Sequence, residues 1–351
     1  MAKYQNQHFV PKTYLKAWGK PNPNNPNPNN NDWIVSGYNK ETGEFEEIIS
    51  IENNFSENYL HSIVAAMPIC NAKDIKNIFS ILNTYVVKYK GKTLTLSDYN
   101  EYFHCFHEWQ IYRDTVIISD KEKKQIYNHI KAIKINEIEM LWGQKYESKW
   151  SKTREIICEK TKQLGYINEF CKDFLMKFII SMSFRGAKPN VYFENIVSHF
   201  VDHICGLDKV DIPENERVKP ILSTASKEVK HELLINYYRK FLNNEGMIYD
   251  MANKDIDDCS IIFYKAAGKV KFATSDTPCF IPHIDIFNLL HSNIKLMIPI
   301  TPDIIAISIK KKTDKYQVIS LSDDTVKRIN NEIHSQASKY TVLLNRTDLT
   351  L

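Results

Sequence analysis

Lys295-Leu296-Met297-Ile298-Pro299-Ile300 and Ile304-Ile305-Ala306-Ile307-Ser308-Ile309, separated by Thr301-Pro302-Asp303, decide the fold class. Both runs have strand composition, rich in β-branched residues and too short for a helix of ordinary length. Residues 259–264 and 270–273 before them and 316–321 after them read as further strands. Asp323-Asp324 then caps a predicted helix over 325–337, and 340–344 makes a final strand. At the other end, 33–38 and 45–51 flank Asn39-Lys-Glu-Thr-Gly43, a β-hairpin signature. Between hairpin and sheet the apolar spacing is helical over 57–87, 97–109, 121–142, 152–164, 168–185, 194–204 and 225–242. Ser97-Asp98 is the expected N-cap of the second of these, and 88–96 reads as a short strand pair or loop. The fold class is therefore α+β, with an N-terminal hairpin, a mostly helical middle and a C-terminal, mainly antiparallel sheet carrying a late helix. The hairpin is expected to join that sheet.

The chain has 351 residues, of which 43% are hydrophobic and 25% charged, values that exclude wholesale disorder, collagen and coiled coil. Lys+Arg total 46 against 42 Asp+Glu, a formal +4, so a strongly basic nucleic-acid coat is excluded while a local basic patch is allowed. No secretory signal and no run of about 20 apolar residues is present, which predicts a soluble protein without a membrane partner. The seven cysteines are scattered and form no C-x-x-C pair, pointing to a reducing cytoplasm over a disulfide framework or zinc ribbon. Residues 22–31, Asn- and Pro-rich, read as a surface loop. The whole of 1–351 reads as a single unit, with 73–142 as a helical insertion.

Three polar positions stand out. His8 precedes Pro11-Lys12-Thr13-Tyr14-Leu15-Lys16-Ala17-Trp18, where Tyr14, Leu15 and Trp18 line one face of a short helix starting after Pro11. Its imidazole either faces a cleft or anchors the terminus through a backbone bond. Arg185 ends the most apolar helix, where a guanidinium binds an anion, pairs with a carboxylate or snorkels. Asp276, in Phe272-Ala-Thr-Ser-Asp-Thr-Pro278, leaves a strand end and is suited to be a general base, a metal ligand, an arginine partner or a turn cap. His199 and Asp202-His203, and His104 with His107-Glu108, approach metal-ligand spacing without matching H-E-x-x-H, so no metal site is assigned. No G-x-S-x-G elbow, Walker loop or G-x-G-x-x-G is present, and the basic stretches are short enough to be solvated faces.

Together these pieces resemble the mainly bacterial family catalogued as domain of unknown function 4238. The resemblance rests on His8-x-x-Pro11-x-x-Tyr14-Leu15-x-x-Trp18, the hairpin with Lys40-Glu-Thr-Gly43, and 178–185. It continues in 272–278, Met297-Ile-Pro-Ile-Thr-Pro302 and Ile329-Asn330. In the mid-chain helix the family pattern Gln-x-x-Arg-Thr is replaced by Met182, Arg185 and Gly186, and Gln110-Ile-Tyr-Arg113 is a rival match. The resemblance supplies positions and no reaction. It makes His8, Arg185 and Asp276 one group of positions; by residue type these are the candidate catalytic set, with Tyr14, Thr277 and Asn330 as candidate substrate contacts.

An imidazole, a guanidinium and a carboxylate around one cleft are the minimum for phosphodiester hydrolysis. The expectation is thus a hydrolase or nuclease acting on a nucleic acid or nucleotide, with a divalent metal as a compatible cofactor; a toxin or phage-defence role is what the resemblance to the family implies. The rival is a non-catalytic interaction or sensor module that binds a protein partner. In it the same residues latch the N-terminal segment onto the C-terminal sheet.

Overall fold

Strand Ile294–Thr301 turns at Pro302-Asp303 into Ile304–Ile309, and the second strand is buried at every residue in the computed structural model. Burial on both faces explains why these runs lack polar alternation. The structure describes residues 5–25, 32–187, 197–214, 216–219 and 222–350. Two compact units are present: one comprises Met1–Leu60, Met140–Glu194 and Tyr237–Leu351, the other His61–Glu139 and Asn195–Asn236.

The first unit is α+β. One five-stranded sheet has the order Gly165–Asn168, Lys315–Leu321, Ser260–Ala266, Ile304–Ile309, Ile294–Thr301. Its pairings are antiparallel except that between Ser260–Ala266 and Lys315–Leu321. The hairpin Trp33–Asn39 and Glu44–Ser50 joins the last strand, Tyr340–Leu343, in a second sheet with Thr274–Ser275 and Lys20–Pro21. The helix Asp323–Gln336 buries Val326, Ile329 and Ile333, one stripe at helical spacing, in a core with Phe272, Met297 and Ile305. Ser322 caps it, one residue before the expected Asp323, by accepting the Thr325 N–H at 3.4 Å.

The second unit is built on Phe79, Leu82, Val87, Phe103, Trp109, Ile126 and Ile130. Besides helices it holds a four-stranded sheet ordered Lys92–Thr93, Val86–Tyr89, Gln110–Arg113, Val116–Ile117, so 73–142 is not purely helical.

Local departures have local causes. The helix expected from 97 begins at Leu96, because Asp98 accepts the Thr95 N–H at 2.7 Å in a capping box. It ends at Glu101, and Phe103–Glu108 continues as a 3-10 segment before a strand. The helix expected over 121–142 breaks after Ala132, since Ile135 pairs its backbone with Ile63. Residues 270–273 were expected as a strand, yet only Thr274–Ser275 pairs in a sheet. The helix Gly246–Asp258 had no sequence expectation. Residues 26–31 of the Asn/Pro loop and 194–196 of the expected 194–204 helix lie outside the described residues.

Candidate functional site

Pro11 precedes a four-residue helix, Lys12–Leu15, that turns Tyr14 and Leu15 into the core. Tyr14 Oη donates to the Pro299 carbonyl at 2.7 Å and lies 2.8 Å from Thr274 Oγ1. A phenol has one proton, so the threonine hydroxyl is the donor in the second bond. Burial pushes the Tyr14 phenol pKa well up, which keeps it neutral. Trp18 Nε1 donates to the Phe272 carbonyl at 2.8 Å. The opening motif is thereby bonded to the 272–274 segment and to the strand carrying Pro299. Trp150 lies between Tyr14, at 6.0 Å, and Phe178, at 4.0 Å, tying the motif to the Arg185 helix.

Arg185 ends the helix Lys172–Arg185 and is only 3% exposed. Its Nε donates to the His8 backbone carbonyl at 3.0 Å and its Nη1 to Tyr238 Oη at 3.3 Å. The guanidinium carbon sits 4.7 Å from the Trp142 ring centroid, a cation–π contact. A planar cation can fill such a slot only by stacking and bonding at its edge, which lysine does not do. Arg113, the rival, lies in the second unit, exposed and paired with Glu122 at 2.7 Å.

Asp276 is 2% exposed. Its Oδ1 accepts the Ser338 N–H at 2.8 Å, and its Oδ2 accepts those of Lys339 at 2.6 Å and Tyr340 at 3.0 Å. Its backbone accepts from Ala187 N at 2.8 Å and donates to the Tyr340 carbonyl at 3.1 Å. Gly186 leaves room for that approach, since a Cβ there would lie 3.3 Å from the Asp276 carbonyl oxygen. The carboxylate holds the bend between the helix Asp323–Gln336 and the strand Tyr340–Leu343 through charge-assisted bonds.

Asn330 is fully buried and bridges three backbone groups. Its Oδ1 accepts the Ala273 N–H at 2.8 Å, and its Nδ2 donates to the carbonyls of Lys271 at 2.8 Å and Asp348 at 2.7 Å. Thr277 is 6% exposed, and its Oγ1 has no hydrogen-bond partner among the described residues.

The Arg185 side chain thus meets the His8 backbone, and the backbone just after Arg185 meets that of Asp276, while the His8 imidazole and the Asp276 carboxylate have different partners. His8 Nε2 lies 3.5 Å from Glu52 Oε2, an ion-pair approach longer than a hydrogen bond. Lys12 Nζ reaches the same oxygen at 3.1 Å, and Asn6 Nδ2 donates to the Glu52 carbonyl at 2.8 Å. The His8 imidazole first, then Lys12, hold the Glu52 carboxyl down to about 2 against the opposing effect of burial. The Glu52 side chain is 43% exposed and that of His8 16%, so the trio reaches solvent through Glu52 while His8 Nε2 is buried.

Glu52 and the role of Lys12 had no sequence signal, because the helix Ile51–Asn54 is too short for a periodicity. Lys40, quoted only as part of a turn, donates to the carbonyls of His334, Ser335 and Ala337 at 3.0, 3.1 and 2.8 Å, closing the late helix. Among the described residues no group of three His, Cys, Asp or Glu is arranged to hold a metal ion. Asp202, between His199 and His203 in sequence, bonds Ser226 at 2.5 Å and Lys230 at 2.6 Å. Nor is any described helix long and apolar enough to cross a membrane.

The family model "Protein of unknown function (DUF4238)" matches residues 6–347. The chain belongs to this family. The match runs from the strand containing His8 to the segment after Tyr340–Leu343, so DUF4238 spans residues of both compact units. No curated protein and no solved structure matches the chain.

Proposed function

We propose that this DUF4238 protein is a non-catalytic interaction or sensor module, in which the family motifs form a buried polar latch and the second unit receives the partner. The observation that carries this reading is the Asp276 carboxylate, nearly sealed from solvent and bonded to three backbone N–H groups. A general base or metal ligand needs a lone pair directed at a substrate or ion, and those of Asp276 are directed at amides. Tyr14, Asn330 and Arg185 are likewise spent on backbone or buried aromatic partners.

One observation favours a second reading, a hydrolase or nuclease-like effector in toxin or phage defence. His8, Glu52 and Lys12 form a carboxylate, imidazole and ammonium group beside solvent. A carboxylate that orients an imidazole is the common device of acid–base catalysis, and the lysine would attract a phosphate. The experiment that separates the readings incubates wild-type, His8→Ala and Asp276→Asn protein with RNA, single- and double-stranded DNA and nucleotides, with and without divalent metal. The module reading expects no turnover by any of the three and lowered stability in Asp276→Asn. Turnover by the wild type that His8→Ala abolishes without a change in melting temperature would favour the hydrolase.

A further inference from the structure

A cleft of about 1000 Å³ opens in the second unit, bounded by the helix Asp120–Ala132, the 3-10 segment Phe103–Glu108, residues 64–66 and Ile212, Glu216, Val218 and Glu228. That volume is at the upper end of small-ligand sites. We propose that this cleft binds a mononucleotide, with its phosphates on Lys124 and Lys131, its base against Tyr127 and a hydrogen-bond donor of the nucleoside on Glu228.

Helical spacing puts Lys124, Tyr127 and Lys131 on one face, at i, i+3 and i+7. All three line the cleft. Two neighbouring lysines are occupied differently. Lys123 Nζ donates to the carbonyls of His107 at 2.7 Å and Trp109 at 2.6 Å, fixing the wall, and Lys134 Nζ donates to the Lys131 carbonyl at 2.7 Å. Lys124 is exposed. Lys131 makes a long 3.4 Å contact to the Arg217 carbonyl and a cation–π contact to the Tyr127 ring, 5.6 Å from its centroid, so its ammonium stands beside that ring where an anion can recruit it.

Tyr127 is stacked on Phe103 at 5.5 Å and 18°, with Phe106 at 5.2 Å, a supported aromatic surface of the kind on which bases stack. Glu228 supplies polarity of the opposite sense. The Val218 N–H bonds its carboxyl group, while Oε2 is buried and has no hydrogen-bond partner among the described residues. A buried acceptor of this kind is costly unless a ligand donates to it, and burial also raises the Glu228 pKa. An amino group of a base or a ribose hydroxyl supplies the missing donor. Asp120 and Glu216 line the same cleft and oppose a bare polyanion, which favours a compact ligand with few phosphates over a nucleic-acid strand. The inference is independent of the latch, because every residue it uses belongs to the second unit.

The test is titration calorimetry of the full chain with ATP, GTP, adenosine, tripolyphosphate and a single-stranded oligonucleotide. ATP or GTP is expected to bind saturably, with adenosine and tripolyphosphate each weaker by about tenfold or more, the loss of one good polar contact. Lys124→Ala with Lys131→Ala should weaken the bound nucleotide by a similar factor, with an unchanged melting temperature. Glu228→Gln should alter the ATP-to-GTP preference and leave tripolyphosphate unaffected. No saturable nucleotide binding, tripolyphosphate or the oligonucleotide binding as tightly as ATP, or full affinity in the double lysine variant would overturn the proposal.

Discussion

Asp276 shows how one side chain can be functional in appearance and architectural in geometry. Its three N–H partners come from consecutive residues, so both carboxylate oxygens are needed to satisfy the bend. Asparagine keeps the shape but turns an NH₂ group toward N–H donors. We expect Asp276→Asn to cost about 2–4 kcal/mol, the range for losing charge-assisted bonds and stranding buried amides, read by urea unfolding. A loss below the error of that measurement would remove the latch. Glu52 makes a different prediction, in pH. Its carboxyl is lowered from 4.5 to about 2, so its contribution is fully present above pH 4.5 and lost as pH falls toward 2. Because the side chain is 43% exposed, solvent screening limits the effect to under about 1 kcal/mol. Acid-unfolding curves of Glu52→Gln should be flatter than wild type between those pH values, and superimposable curves would show that the trio with His8 and Lys12 adds nothing.

Elements were legible where one physical cause dominated. The buried run 304–309 and the helix Ala225–Leu242 were recognisable from composition and period alone. Residues 270–273 misled, because the apolar side chains of Val270, Phe272 and Ala273 serve burial and not strand pairing. Their backbone N–H groups go instead to Asp323, Asp348, the Pro302 carbonyl and Asn330, none of which a local window contains. The aromatic series Phe103, Phe106 and Trp109 fits a helix on spacing, but a 3-10 turn packs the same residues and lets the chain enter a strand. Where the hairpin meets the last strand, Gly37 faces Val342, and an added Cβ would lie 2.0 Å from the Thr341 carbonyl oxygen. Gly37→Ala must therefore push the two strands apart. We expect a loss of about 1–3 kcal/mol, the usual range for overpacking, measurable as a lowered thermal midpoint; an unchanged midpoint would mean that this strand pair is free to shift.

At the level of the whole molecule, the sequence motifs carried the relation among distant residues but not its chemistry. The ordered family motifs grouped His8, Arg185 and Asp276 in sequence; in the fold the Arg185 guanidinium bonds the His8 carbonyl, and the Ala187 N–H, two residues on, bonds the Asp276 carbonyl. Which atoms face which partner was not legible, since it depends on the bend at 338–340 and on Glu52, both remote in sequence. The second unit was equally hard to read: 61–139 is completed by 195–236, and no local signal announces a return of the chain to an earlier piece. The most direct test of the central claim is amide hydrogen exchange at Ser338, Lys339 and Tyr340, in wild type and in Asp276→Asn. Slow exchange at the three amides in wild type, accelerated in the variant well beyond the change at unrelated strand amides, is the predicted result. Rapid exchange at these amides in wild type, or equal rates in both proteins, would contradict a structural role for this carboxylate.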